Sequence, residues 1–225
     1  NVDAGGTITV VDGLAGVSGL AGQVELDANG AASNIAVNAP VTSTSGDINV
    51  LADNDVTFDA TSDVTSASGN VTVTGDANAG AGGTDGAVTM ADGAVINAGS
   101  GTIDIDADED ITLGGATTTN ATATAVTVTS TSGGVVDGGD TDTDITANSG
   151  TVVVDAATGV GSAGAIDTQI NTLDLDNTTS GNVDINETDA LAINELDQDA
   201  AAGTVNVDAG GTITVVAAQS GVTGT

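Results

Sequence analysis

The sequence has no lysine, no arginine and no histidine, against 32 aspartates and glutamates in 225 residues. No salt bridge between side chains can form within it. Binding to nucleic-acid phosphates or to anionic lipid through basic side chains is excluded. A formal charge of −32 leaves self-repulsion, to be screened by salt or neutralised by cations. Cysteine is absent, so there are no disulfides and no thiol chemistry. Tryptophan and tyrosine are absent, and phenylalanine, methionine and proline occur once each. No apolar run reaches the length of a membrane-spanning helix, so no membrane insertion is expected. No signal peptide or initiating methionine opens the chain, which begins inside its own repeat pattern.

What remains is 39% hydrophobic, with a mean hydropathy of +0.19. Without large aromatics the core must be built from Val, Ile, Leu and Ala. Such a thin core of β-branched and small residues suits a narrow, elongated stack better than a compact globule. The abundance of Gly, Ser, Thr and Asp together with the charge would suit disorder, but a regular Val/Ile alternation argues against it.

That alternation comes in a repeated phrase opened by glycine. From Gly203, the phrase GTVNVDAGGTITVV places Val205 and Val207 at +2 and +4, Ala209 at +6, and Ile213 and Val215 at +10 and +12. The same offsets return from Gly46, with Ile48, Val50, Ala52, Val56 and Phe58, and from Gly101, with Ile103, Ile105, Ala107, Ile111 and Leu113. These residues are the expected core. Looser copies open at Gly22, Gly69, Gly86, Gly150 and Gly181, the last with Glu187 where a small residue is expected. A longer period lies over the short one. Asn1 to Val11, NVDAGGTITVV, is identical to Asn206 to Val216, and Gly16-Val17 and Gly19 match Gly221-Val222 and Gly224. Residues 1–225 therefore read as one solenoid segment, with a 205-residue higher-order repeat that implies a longer array.

Two alternating strands and a third apolar point per repeat of roughly 22 residues are the arithmetic of a parallel β-solenoid, about nine coils to the long period. Strands of one coil would pair with those of the coils above and below. The small residue at +6 fits a corner where a side chain has little room, and Asp and Asn suit the turns. Pro40, the one proline, follows a short strand at Asn34 to Val37, where a lost N–H is tolerated. One wet face per strand, with Thr, Asp and Asn between the Val and Ile, is unusual for parallel sheets and natural for a solenoid. A β-sandwich, the alternative, would call for two-residue hairpin turns and larger core residues.

The phrase G-x-[VI]-x-[VI]-x-A followed by a second [VI]-x-[VIL] pair, over most of the chain, resembles the repeats of filamentous-haemagglutinin-type adhesins and of giant repetitive bacterial surface proteins. The resemblance implies a right-handed parallel β-helix and a secreted, extracellular or cell-surface shaft with roles in adhesion or cell–cell contact. Its partners would be copies of itself or adjacent repeats along a filament axis. A partner cell or a glycan receptor would be met outside this fragment. The complete absence of Lys and Arg departs from that family.

Catalysis is not expected. Nucleophilic Ser chemistry lacks a His or Lys partner, and a lyase acting on acidic sugars would want a basic residue. A carbohydrate-active hydrolase could work with carboxylates alone, with Asp104, Asp106, Asp108 and Asp110 as candidates, but acidic positions of the repeat recur elsewhere as Thr or Asn. Cation binding is the sharper hypothesis. Calcium takes hard oxygen ligands, and DADED and DGGDTDTD concentrate them in short loops, offering Asp106, Asp108, Asp110, Asp140, Asp142 and Asp144. Neither loop has EF-hand spacing or the glycine-rich nonapeptide of calcium-binding β-rolls. A calcium-dependent matrix or surface-layer component is thus the alternative to the shaft. The TxT strings would also suit an ice-ordering surface, although Asp and Asn interrupt them.

Overall fold

A computed structural model describes residues 1–13, 16–77, 86–139, 141–199 and 202–216. The described residues contain strands and turns but no helix, and each strand pairing is parallel. The chain is a β-solenoid of about nine turns, with equivalent residues roughly 23 apart.

Three faces can be followed by register. The first runs through Val2–Ala4, Val24–Ala28, Ile48–Ala52, Val71–Thr74, Ile103–Ala107 and Val126–Ser130. The second is a separate six-stranded sheet: Ile8–Val10, Ile35–Val37, Val56–Phe58, Val88–Met90, Ile111–Leu113 and Val135–Asp137. The third, the third apolar point of the repeat, carries Val17–Ser18, Val41–Ser43, Val64–Ser66, Val95–Gly99 and Gly115–Thr118. Hydrogen bonds between coils run along the axis in series: Val24 N donates to Asp47 O, Ile48 N to Asn70 O, and Val71 N to Thr102 O, each at 2.9 Å.

Strand alternation sends every second side chain inward, where it meets its own counterpart one coil away. Leu26, Val50, Val73, Ile105, Val128, Val154 and Leu175 form one such buried column. The phrase residues Ile48, Val50, Val56, Phe58, Ile103, Ile105, Ile111 and Leu113 are all buried. The single phenylalanine and the single methionine are register neighbours, Phe58 beside Met90, with Val37 on the far side of Phe58. Large side chains thus share one row. Ala28 and Ala52 stack at the end of the first face with no accessible surface, as expected for a corner.

In the C-terminal third the cross-section changes. The second face ends as a six-stranded sheet at Asp137, a carboxylate in the row that holds Met90 and Leu113 in other coils, and continues through two isolated bridges, Val135 to Val160 and Val160 to Val183. The loss is offset at another corner. Ile145–Ala156 and Ile166–Asn177 are twelve-residue strands that run from the third face onto the first, with a register shift between Ala147 and Thr151. The later phrases consequently lie on other faces than the earlier ones. From Gly46 and Gly101 the two strands occupy the first and second faces. From Gly203, Val205–Ala209 extends the second face into the third, and Ile213–Val215 lies on the first. This last coil has a neighbour on one side only, so Val205 and Val207 are half-buried and Ile213 and Val215 exposed.

The glycine that opens each phrase has a steric reason. A Cβ on Gly46 would sit 2.2 Å from the carbonyl oxygen of Gly22, and one on Gly69 would sit 2.2 Å from that of Gly46. The coils touch backbone to backbone here. Gly46→Ala should therefore lower stability by about 1–3 kcal/mol as overpacking. Gly5→Ala, where a Cβ meets nothing within 4 Å, should change it by less than about 0.5 kcal/mol. Denaturant titration followed by circular dichroism measures both, and equal effects would contradict the backbone contact.

Candidate functional site: an acidic ladder on the first face

The outward positions of the first face form columns too. One reads Asp3, Asp27, Leu51, Thr74, Asp106, Thr129, Asp155, Asp176, Asp197. The column beside it reads Glu25, Asn49, Thr72, Asp104, Thr127, Val153, Asp174, Glu195. Midway along the solenoid the coil of Asp104 and Asp106 lies between two threonine coils. Towards the C-terminus carboxylates stand on successive coils, about 4.8 Å apart, with no cation in the sequence to separate them.

Their proton affinities follow. Burial, then the charges of Asp197, Asp155 and Asp199, raise the pKa of Asp176. Burial and Asp174 raise that of Asp155. Asp174 acts first on Glu195, followed by burial and by Asp197 and Asp176. Asp104 is raised by burial alone. Asp106 is raised by burial and Asp104, with a hydrogen bond from Thr129 in opposition. At the other end burial, Asp3 and Glu25 raise Asp27, partly offset by Asn29.

Among the described residues, one group brings three carboxylates close enough for a shared ion: Asp176, Asp197 and Asp199, with oxygens within 4.8 Å of one another. Asp176 Oδ1 and Asp197 Oδ1 are inaccessible and accept no hydrogen bond. The donor set, all carboxylate oxygen, is of the kind a hard cation such as Ca²⁺ accepts. The sequence carries a signal for part of this group: Asp176 and Asp197 continue a 21-residue recurrence that begins at Asp155.

The loop aspartates named from the sequence are placed differently. Asp106 is on the ladder. Asp108 Oδ1 accepts from Thr131 Oγ1 at 2.6 Å and Ser132 Oγ at 3.0 Å, and Asp110 Oδ1 from Gly134 N at 2.8 Å. Both are tied to the following coil beside a depression of about 330 Å³ that Glu109 and Thr158 also line. Asp142 is exposed, whereas Asp144 is buried and accepts from Asp167 N at 2.7 Å. Asp140 lies outside the described residues. These aspartates do not form a three-carboxylate group among the described residues.

Turn residues take over the role that ion pairs cannot play. Asn70 N donates to Asp47 Oδ1 at 2.8 Å, and Thr102 N to Asn70 Oδ1 at 3.0 Å, so each turn caps the next coil. At the corner entering the first face, Ser43 Oγ donates to Leu20 O and Gly22 O, and Ser66 Oγ to Gly46 O. Glu187, the misfit of its phrase, is 1% exposed and accepts from Thr168 Oγ1, Ile170 N and Asp189 N at 2.8–3.1 Å.

No protein-family model matches the chain, and neither a curated protein nor a solved structure is significantly similar to it. Its coils and outer faces define a class nonetheless, the acidic parallel β-solenoid.

Two outcomes follow from this face. A carboxyl whose pKa is higher folded than unfolded stabilises the fold below the unfolded value, and that stability is lost as pH rises through the folded value. Acidification from pH 7 to about pH 4, near the ordinary aspartate range, should therefore raise the melting temperature. Asp176→Asn with Asp197→Asn should flatten the dependence, and a melting temperature that falls steadily with acid would contradict it. Glu187→Ala, although it restores the small residue of the phrase, should cost about 1–3 kcal/mol, because it strips the acceptor from Thr168 and Ile170. Unchanged denaturation would show those bonds to be replaceable.

Proposed function

We propose that the chain is a structural shaft, part of a secreted or cell-surface filament or adhesin that extends by stacked coils and supports contact between cells or with a surface. One observation carries this reading: hydrogen-bonded register persists from the first coil to the last, with a buried core only as wide as the space between the faces. Such a body resists bending because its backbone bonds lie along its length. Asp104 and Asp106, the carboxylates a carbohydrate-active enzyme would call on, stand on the outward side of a strand between coils that carry Thr at the same positions. That is the pattern of a solvated face.

The calcium-dependent matrix or surface-layer reading has the Asp176, Asp197 and Asp199 group in its favour. In it the ion would bind these carboxylates and suppress their repulsion, and the shaft would stiffen or bundle as calcium rises.

Immunogold electron microscopy of intact source cells, with antibody raised against the folded chain, tests the shaft. Label along thin extracellular fibres is the expected result, and label confined to the cell interior would remove the proposal. Differential scanning calorimetry with and without millimolar Ca²⁺ tests the second reading. A rise in melting temperature that Asp197→Asn abolishes would favour it, and an unchanged transition would dismiss it.

A further inference from the structure

The segments Asn1–Val11 and Asn206–Val216 are identical in sequence but not equivalent in the fold. Val2–Ala4 lies on the first face beside Leu26, Asp27 and Ala28, and Ile8–Val10 on the second beside Ile35–Val37. The copies pair elsewhere. Val207, Asp208 and Ala209 lie beside Ile185, Asn186 and Glu187 on the third face, and Ile213–Val215 beside Leu191, Ala192 and Ile193 on the first. The third-face column counts the turns: Val17, Val41, Val64, Ile96, Ala116, Ile145, Thr168, Glu187, Ala209. Ala209 is on the third face of the ninth coil, and its counterpart Ala4 on the first face of the first. The 205-residue period therefore spans eight and two-thirds turns.

Each segment also displays the edge that the other lacks. Asn1–Val11 is paired only on its following side, and Asn206–Val216 only on its preceding side. Exposure is complementary. Ile213 and Val215 are 40% and 57% exposed while Ile8 and Val10 are 8% and 7%; Val2, at 44%, is exposed while Val207 is half-buried. Among the large apolar residues of the two segments, only Val11 and Val216 are exposed in both. The same strands thus accept a coil on either side, and the register of both contacts is on view in one molecule.

We infer that the free edge of Asn206–Val216 receives a second copy of this unit, turned by one face about the axis, with Gly221-Val222 and Gly224 marking its lead-in in the places of Gly16-Val17 and Gly19. This rests on the shaft reading above and specifies its joint. Val24–Ala28 and Ile35–Val37 of the second copy seat on Val207–Ala209 and Ile213–Val215 in the register that Val2–Ala4 and Ile8–Val10 already show. The second copy's Val17–Ser18 then falls on the second face, where Val205 is the last residue, so all three faces close in order. Because the period is a third of a turn short of nine, the acidic ladder moves to another face with each copy. Three copies complete twenty-six turns, about 125 Å at about 4.8 Å per coil. The charge winds round the shaft, and the carboxylates of one ladder do not continue into the next.

The test is a chain of residues 1–216 followed twice by residues 12–216, imaged by electron cryo-microscopy. The expected result is one unbroken rod in which each added copy contributes about 42 Å and is rotated by about 120°. A continuous rod whose copies superpose by translation alone overturns the inference and leaves the shaft standing. Separate rods joined by a hinge overturn both. If the long chain aggregates, a two-copy chain with Thr214→Cys in the first copy and Ala36→Cys in the second answers the same question. These positions face each other as Thr9 and Ala36 do, within disulfide reach, and the sequence has no other cysteine. Mass spectrometry should find the bond in nearly every molecule, and free thiols after oxidation overturn the joint.

Discussion

Everything in this molecule depends on the stacking of one coil on the next in unbroken parallel register. A residue's surroundings are set chiefly by the two residues roughly 23 positions before and after it. That constraint explains the composition. A side chain that must pack against its own counterpart above and below does best as Val, Ile or Leu, which fit a pleated surface and interlock without deep space. One row accommodates more bulk, and the only phenylalanine and methionine are found together in it.

The same constraint makes charge expensive. Outward carboxylates in register meet one another every coil, and no lysine or arginine exists to intervene. Neutral donors do part of that work. Asn29 Nδ2 donates to Asp3 Oδ1 and Asn206 Nδ2 to Asp184 Oδ1, while threonine coils flank Asp104 and Asp106. Where such spacers are missing, Asp155, Asp176 and Glu195 hold their protons more tightly, each in part because of a carboxylate on a neighbouring coil. The acidic surface is thus two arrangements, a diluted one midway along the solenoid and a crowded one nearer residue 197.

The phrase opened at Gly46 and Gly101 made the fold legible, because its offsets encode strand alternation, a corner and a second strand. Its glycine proved to be a contact between backbones, which spacing alone does not reveal. Less legible was the third face, where strands such as Val41–Ser43 and Gly115–Thr118 are short and rich in Ser and Thr. The displacement of the later phrases was hidden as well. It comes from Asp137, which ends the second sheet, and from two long strands that turn a corner without interruption, the second of them, Ile166–Asn177, with no glycine at all. The candidate site is hidden for a related reason: the dense acidic loops point to Asp108 and Asp110, whose oxygens serve the adjacent coil, whereas Asp176 reaches Asp197 and Asp199 only through register.

Axial register also governs how such a body would yield to tension. Pulled at its two ends, a solenoid can give way only at an end coil, since interior coils are held on both sides. Each coil that peels off surrenders about 4.8 Å of rod and frees roughly 23 residues, some 75 Å of extended chain. The solenoid would lengthen many-fold in small steps before breaking, a molecular reel whose line is its own coils.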